Sequence, residues 1–211
     1  MSVTINGNGT ITGYTPVADG SITAAKLASG AISAATLPAG SILQVVNTNA
    51  TAAMSDVDLA SNGISYGITD LDTTITTVAA NLKFIVSCQI FGETNLTDNT
   101  IAFAWQRGIS GTFTDFMKGD DDGTNRREVT AMFAQGHYAS NQDSTPSSSS
   151  LPSLVDSPSQ AAGTAITYRI GVSKMSGTAG IFRGNKSYGD TSNNTGYERG
   201  ASWMTVMEVK V

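Results

Sequence analysis

The chain has 211 residues, of which 40% are hydrophobic and 14% charged, and its net charge is −5. This length and apolar content predict one ordinary domain with an extension. The negative charge would repel a phosphate backbone, and the pair Arg126-Arg127 is too short to override it, so nucleic acid is not an expected partner. No stretch approaches the length of a membrane span, so no membrane insertion is expected, and no secretory signal is visible.

A Gly-x-Ile phrase recurs three times near the start of the chain at a spacing of ten residues, at Gly20–Ile22, Gly30–Ile32 and Gly40–Ile42. The large apolar residues of the repeat are Ile22, Leu27, Ile32, Leu37 and Ile42. About two such side chains per unit bury too little surface to offset the entropy of ordering ten residues. Their partners are therefore expected in neighbouring chains, and residues 20–42 are predicted to form an oligomeric stalk. The alternative is a low-complexity Ala/Gly/Ser linker.

From Ser41 onward apolar residues alternate with polar ones, which indicates strands with one buried face. Clear strands are predicted at 82–91, 101–106, 166–172 and 202–211, and weaker ones at 40–46, 64–68, 73–78, 113–117, 129–133 and 181–183. In the last strand Trp203 and Met207 share one side, whereas Glu208 is expected to face away from the core, near Lys210. These strands predict an all-β fold for residues 43–211, an antiparallel jelly-roll-like β-sandwich.

Two segments are predicted to be loops. Asp120 to Asp122 could gather around a calcium ion if backbone carbonyls helped, but the spacing is not that of an EF-hand and an acidic turn is more often simply solvated. Ser140–Pro158 contains a serine run and three of the five prolines, which predicts an exposed loop at one end of the sandwich. Such a loop either binds a partner or only connects two strands.

Catalytic groupings are scarce in the sequence. The sequence has one histidine, His137, and one cysteine, Cys88. This scarcity excludes most kinds of nucleophilic triad and of Cys/His zinc site. Cys88 lies in an alternating apolar run and is predicted to be a small buried core residue. No catalytic, cofactor-binding or metal-binding residue is assigned, no cofactor is expected, and the chain is predicted not to be an enzyme.

The run GSITAAKLASGAISAATLPAGSILQVV resembles the stalk and entry strand of tail-fibre and other virion surface proteins of tailed bacteriophages, particularly marine and cyanobacterial phages. The segments GDDDGTNRREVT, LVDSPSQAAGTAITYRIGV and NKSYGDTSNNTGYERGASWMTVMEV are similar to parts of short phage structural proteins in which a β-sandwich head follows such a stalk. Together they cover most of the chain from residue 20. The resemblance implies a homotrimeric, non-enzymatic component of the outer virion surface, assembled in the bacterial host cytoplasm.

The implied trimer would pack the repeat residues of three chains along one axis. Residues 1–19 would then be the virion-attachment segment that contacts other virion proteins, an assignment made by elimination. Its apolar residues are Val3, Ile5 and Ile11.

Two functions remain open within this class. In a tail fibre, the favoured reading, the head domain would bind a host surface polysaccharide or protein through Arg126, Arg127, Tyr188 and Tyr197. In a capsid-bound head fibre or decoration protein, residues 1–19 would grip the shell, and the protein would stabilise it or aid adhesion. A third reading, a secreted carbohydrate-binding domain, needs an export signal and leaves the repeat unexplained.

Overall fold

A computed structural model describes residues 4–5, 11–12, 32–63, 65–95, 101–120, 128–133, 146–175, 179–189 and 198–211. The chain divides into two units, Met1–Leu37 and Pro38–Val211. In the first unit, strand β1 (Thr4–Ile5) pairs antiparallel with β2 (Ile11–Thr12), so that Ile5 lies opposite Ile11 in the register.

The described part of the second unit consists mainly of strands, with a 3-10 turn at Thr69–Leu71. In chain order the strands are β3 (Ile42–Ala50), β4 (Val57–Leu59), β5 (Tyr66–Gly67), β6 (Thr73–Thr76), β7 (Lys83–Thr94), β8 (Ile101–Ile109), β9 (Thr112–Phe116), β10 (Ala131–Met132), β11 (Ser147–Asp156), β12 (Ala165–Lys174), β13 (Gly180–Gly184) and β14 (Ser202–Val209). They form two antiparallel sheets around one core, so the predicted all-β sandwich is confirmed.

Sheet I contains β3, β4, β7, β11, β13 and β14, with β7 at its centre. One edge of β7 pairs with β11. The other edge of β7 pairs with β14 along the first half of β7 and with β13 at the end of β7. The sheet is completed by β3 beside β14 and by β4 beside β13.

Sheet II is organised around the long pair β8 and β12. The second edge of β8 pairs with β9 and β10, and the second edge of β12 pairs with β5 and β6. The 3-10 turn and β6 lie beside β3 of sheet I, where the Thr48 hydroxyl donates a hydrogen bond to the Asp72 carbonyl at 3.2 Å. The two sheets are therefore tied together along this side.

Alternating side chains from both sheets fill the core. Cys88 is 1% exposed, as predicted, and burial raises the pKa of its thiol. Three buried rings, Phe103, Phe133 and Phe182, contact one another edge to face with centroids 5.5 to 5.9 Å apart. Such pairs add about 0.5–1.5 kcal/mol each beyond their burial. This aromatic cluster joins β8 of sheet II to β13 of sheet I.

An ionic cluster, here called the inter-sheet clamp, consists of Arg107 on β8, Asp156 on β11 and Tyr168 on β12. The Arg107 guanidinium donates two hydrogen bonds to the Asp156 carboxylate, at 2.6 and 2.8 Å. The Tyr168 hydroxyl donates a third at 2.8 Å. Burial and the neighbouring negative charge of Asp156 raise the pKa of Tyr168. A carboxylate of sheet I is thus held by two side chains of sheet II.

The orientation of β14 differs from one prediction. Glu208 does not face away from the core: it is fully buried, on the same side of β14 as Met204 and Val206. Its carboxylate accepts a hydrogen bond from the Val78 backbone N–H at 2.9 Å and another from the Gln44 side-chain amide. These donors offset the cost of burying the carboxylate. The side chains of Trp203 and Met207 consequently point outward.

The predicted loop over Ser140–Pro158 is also wrong in part, because β11 occupies Ser147–Asp156. This strand lies at the edge of sheet I and has an irregular register between Leu151 and Leu154. Pro152 falls within that irregularity. A proline cannot donate a ladder hydrogen bond, and edge strands and bulges are the sheet positions that tolerate it.

Candidate functional site

Of the four candidate receptor-contact residues, Tyr188 lies in the described part of the chain. Arg126, Arg127 and Tyr197 lie outside the described residues. Tyr188 follows β13, directly after a turn in which Asn185 adopts a positive φ of 61°. Asparagine tolerates this conformation better than most residues.

The turn is fixed by hydrogen bonds that join Asn185 to β3, β7 and β14 of sheet I. Its side-chain amide donates to the carbonyls of Ala50 and Ala52 at 2.7 and 2.9 Å, and its carbonyl oxygen accepts from the Ser202 hydroxyl at 2.7 Å. Its backbone N–H donates to the Phe91 carbonyl at 2.9 Å. The position of the segment that carries Tyr188 is therefore set by three strands.

Tyr188 itself lies in a cluster of charged side chains, here called the Tyr188 surface: Asp56, Glu93, Arg183, Lys186 and Tyr188. The backbone N–H of Tyr188 donates to the buried Glu93 carboxylate at 2.5 Å, and its carbonyl accepts from the Arg183 guanidinium. The same guanidinium lies 4.4 Å from the centre of the Tyr188 ring. The ring is thus held by a cation–π contact as well as by its backbone.

Both cations of the Tyr188 surface contact the same carboxylate. Asp56 lies 3.2 Å from Arg183 Nε and 2.7 Å from Lys186 Nζ. Glu93 is fully buried, and its carboxylate holds the Tyr188 backbone N–H. The half-buried Tyr188 ring therefore lies beside side chains that are already paired.

A cleft of about 370 Å³ lies at one end of the paired strands β4 and β13, two residues along each strand from Asp56 and Arg183. Its lining includes Asp58, Asn95 and Ile181. Ile181 and Arg183 point to the same side of β13 because they are two residues apart in a strand. The volume lies within the range of small-ligand sites, about 300–1,000 Å³.

A smaller cleft of about 190 Å³ lies on the outer side of sheet II and is lined by polar groups. Lys118 and Glu128 form an ion pair there at 3.3 Å, and Gln106 donates to Asp115 at 2.8 Å. Asp120, two residues after Lys118, is exposed, whereas Asp121 and Asp122 fall outside the described residues. Within the described ranges no group of three or more His, Cys, Asp or Glu residues comes together, and the calcium site stays a prediction.

The predicted stalk and attachment residues are only partly described. Ile22, Leu27 and Val3 lie outside the described residues, and for Ile5 and Ile11 the structure gives the strand pairing alone. Ile32 is 64% exposed and Ile42 is 54% exposed, whereas Leu37 is half-buried. The described part of the chain has no helix that is long and apolar enough to cross a membrane.

The sequence offered Tyr188 as a candidate contact residue, which stays a prediction, and gave no sign of the residues that hold it. Arg183, Glu93 and Asp56 come from three separate segments, and nothing in the local sequence links them. The one available signal was Gly184-Asn185, a pair of residue types that favours a turn directly after a predicted strand. That turn brings Arg183 and Tyr188 together.

Comparison with known proteins gives no family. No protein-family model matches the chain, and no curated protein matches it either. Solved structures of infectious bursal disease virus show a weak similarity. The Gx strain structure has 11% identity and a TM-score of 0.34, covering 79% of this chain and 41% of the matched chain. The VP2 subviral particle has 12% identity and a TM-score of 0.35, with 80% and 41% coverage. The chain therefore spans less than half of the matched chains, and similarity at this level establishes no function.

Proposed function

We propose that the chain is a non-enzymatic, homotrimeric virion fibre protein, a tail fibre whose β-sandwich head binds the host cell surface. The observation that carries this proposal is the ten-residue Gly-x-Ile repeat, which runs into β3. Ile32 and Ile42 are large apolar residues that a single chain leaves mostly exposed. Packing the repeat residues of three chains along one axis would remove that surface from water, which is favourable.

The Tyr188 surface supports a binding role for the head domain. A tyrosine ring offers a large contact area at a low cost in conformational entropy, and here both its backbone and its ring are already held. Three copies of a weak site would bind a repetitive cell-surface polysaccharide or a surface protein far more tightly than one copy. The cleft at the end of β4 and β13, lined by Ala60, Ala179 and Ile181 together with Asp58 and Asn95, adds room for a small ligand.

The trimer is tested by measuring the mass of the full chain with light scattering. A trimer of the 21.8 kDa chain would have a mass of about 65 kDa. Ile32→Asp would place three negative charges near one axis, so we expect its dissociation at concentrations where the unchanged protein is assembled. Met132→Asp is the matched control because Met132, 49% exposed, lies on β10 of sheet II. An unchanged mass for Ile32→Asp would contradict the stalk.

Adhesion is tested by binding of the fluorescently labelled full chain to host cells. We expect Tyr188→Ala to weaken binding at least tenfold, because it removes the ring and leaves the backbone hydrogen bonds of residue 188 in place. Tyr66→Ala is the control, since Tyr66 is a half-buried tyrosine on β5 of the other sheet. Equal binding by both variants would remove Tyr188 from the receptor site.

The second candidate is a capsid-bound head fibre or decoration protein. The pairing of β1 with β2 favours it, because a strand pair within residues 1–19 that sets Ile5 opposite Ile11 would offer a surface for contact with a shell. Immunogold labelling of virions with an antibody against residues 43–211 separates the two candidates. Gold at the tail supports the tail fibre, and gold around the capsid supports the head fibre.

A further inference from the structure

The outward side of sheet I carries an apolar row that crosses four strands in direct register. Val45 of β3 is paired with Met207 of β14, Met207 with Ile85 of β7, and Ile85 with Val155 of β11. Val45 and Val155, at the two ends of the row, are 55% and 56% exposed. Met207 and Ile85 are half-buried between them. Cross-strand neighbours on one face pack against each other, so the row is a continuous strip.

A β-bulge adds Ile42 to this surface. The register of β3 with β14 runs from Glu208 opposite Gln44 to Val209 opposite Ile42, which leaves Leu43 as an extra residue. Without the bulge, Ile42 would point into the sandwich as Gln44 does. With it, Ile42 points outward beside Val209. We call Ile42, Val45, Ile85, Val155, Met207 and Val209 the apolar outer face. The last isoleucine of the ten-residue repeat thus belongs to it.

The apolar outer face is almost free of charge. Among the residues of β3, β7, β11 and β14 that are paired with one another, one outward-pointing side chain carries a formal charge. It is Lys83, at one end of β7. The row next to the apolar strip is neutral, with Asn47, Thr205 and Ser87 in register. Copies of a chain with net charge −5 repel each other, so an uncharged face is the surface on which they approach at least cost.

The dimensions of the face suggest that it acts together with a second contact. The whole outward side of these four strands measures about 26 Å along the eight residues of β14 and about 19 Å across, about 500 Å², and the apolar outer face is only a part of it. A stable interface takes about 800 Å² from each partner. The face alone falls short of that, and a stalk that joins the same copies would supply the remainder.

We propose that the apolar outer face is where copies of this chain meet, with three such faces around one axis and the strip from Val45 to Val155 turned inward. The inference rests on the proposed homotrimer and extends it from the stalk to the head domain. It assigns to the bulge at Leu43 the role of turning Ile42 from the sandwich interior to the intermolecular surface.

The test uses single cysteines in the full chain. Cys88 is 1% exposed, so the native thiol is shielded from reagents. Val45→Cys and Met132→Cys place a thiol at strand positions whose original side chains are 55% and 49% exposed in one chain. In the assembled protein we expect maleimide to label Val45→Cys at least tenfold more slowly than Met132→Cys. Equal rates would overturn the inference.

Light scattering on the same samples separates this inference from the proposed function. A trimer in which both cysteines react equally keeps the stalk and overturns the head interface. A dimer with a protected Val45→Cys refutes the proposed trimer and overturns the arrangement of three faces around one axis. A monomer with equal rates refutes both, and a monomer with a protected Val45→Cys overturns the inference in favour of a cover from the same chain. Val155→Glu should in addition weaken assembly at least tenfold, whereas Met132→Glu should not.

Discussion

Removing the carboxylate of the inter-sheet clamp should destabilise the sandwich strongly. Asp156→Ala takes away two hydrogen bonds from Arg107 and one from the Tyr168 hydroxyl. Breaking a buried ion pair costs about 3–5 kcal/mol, and the value here belongs at the lower end because the Arg107 side chain is 24% exposed and water can reach it. The orphaned Tyr168 hydroxyl adds about 1 kcal/mol. We expect a total loss of about 4 kcal/mol.

Urea unfolding, at one chain concentration for all variants, measures this loss as a shift of the midpoint with an unchanged slope. Tyr168→Phe is the control: it removes one hydrogen bond and its donor together, so it should cost about 1 kcal/mol. Replacing both charges, as in Arg107→Met with Asp156→Leu, should recover most of the loss. A cost below about 1 kcal/mol for Asp156→Ala would refute the view that the clamp holds the sheets together.

Three further predictions concern pH, packing and the turn. Burial raises the pKa of Tyr168, so the stability that its neutral hydroxyl contributes is complete below the unfolded-state pKa of about 10. Above that pH this stability falls by up to about 1.4 kcal/mol per pH unit. Urea midpoints from pH 9 to 11 should show the decline, and Tyr168→Phe should reduce it. Gly108→Ala would place its Cβ 2.6 Å from the Phe113 ring and should cost about 1–3 kcal/mol; Gly119→Ala, where the nearest atom is 3.9 Å away, should be near neutral in thermal unfolding. Asn185→Ala should cost about 2 kcal/mol in the same assay, because it removes the two hydrogen bonds from the Asn185 amide to the carbonyls of Ala50 and Ala52. An unchanged unfolding temperature would show that the turn is held by other contacts.

Alternation of apolar and polar residues predicted most of the sandwich, because a half-buried strand leaves that pattern in any sequence. The same signal failed for β11. Its serine run and Pro152 are typical of loops, and only the edge position and the irregular register make them compatible with a strand. β4 was missed as well, since three residues are too few to show a period.

The side chains of β14 show a second limit of sequence patterns. Both sides of this strand carry large apolar residues, Met204 and Val206 on one and Trp203 and Met207 on the other. Alternation alone cannot decide which set faces the core. The decisive contact is the hydrogen bond from the Val78 N–H to Glu208, which comes from a distant segment.

The candidate binding site was predictable only as a single residue. Tyr188 stood out as an aromatic residue in a polar segment. Its neighbours Arg183, Glu93 and Asp56 depend on the turn at Asn185 and on the pairing of β13 with β4 and β7. Likewise, the repeat predicted that Ile42 needs a partner, but the bulge that turns Ile42 outward follows from the register with β14, which no local pattern contains.

The position of β14 between β3 and β7 has a consequence for synthesis of the protein. Asn47 of β3 bonds to Thr205 of β14, which is 158 residues further along the chain. At a translation rate of about 5–20 residues per second, the interval between synthesis of β3 and synthesis of β14 is on the order of 10–30 s. The outward side of sheet I cannot form on the ribosome before residue 209 has emerged. Association of copies through the proposed apolar outer face would therefore have to wait until β14 has been synthesised and paired with β3.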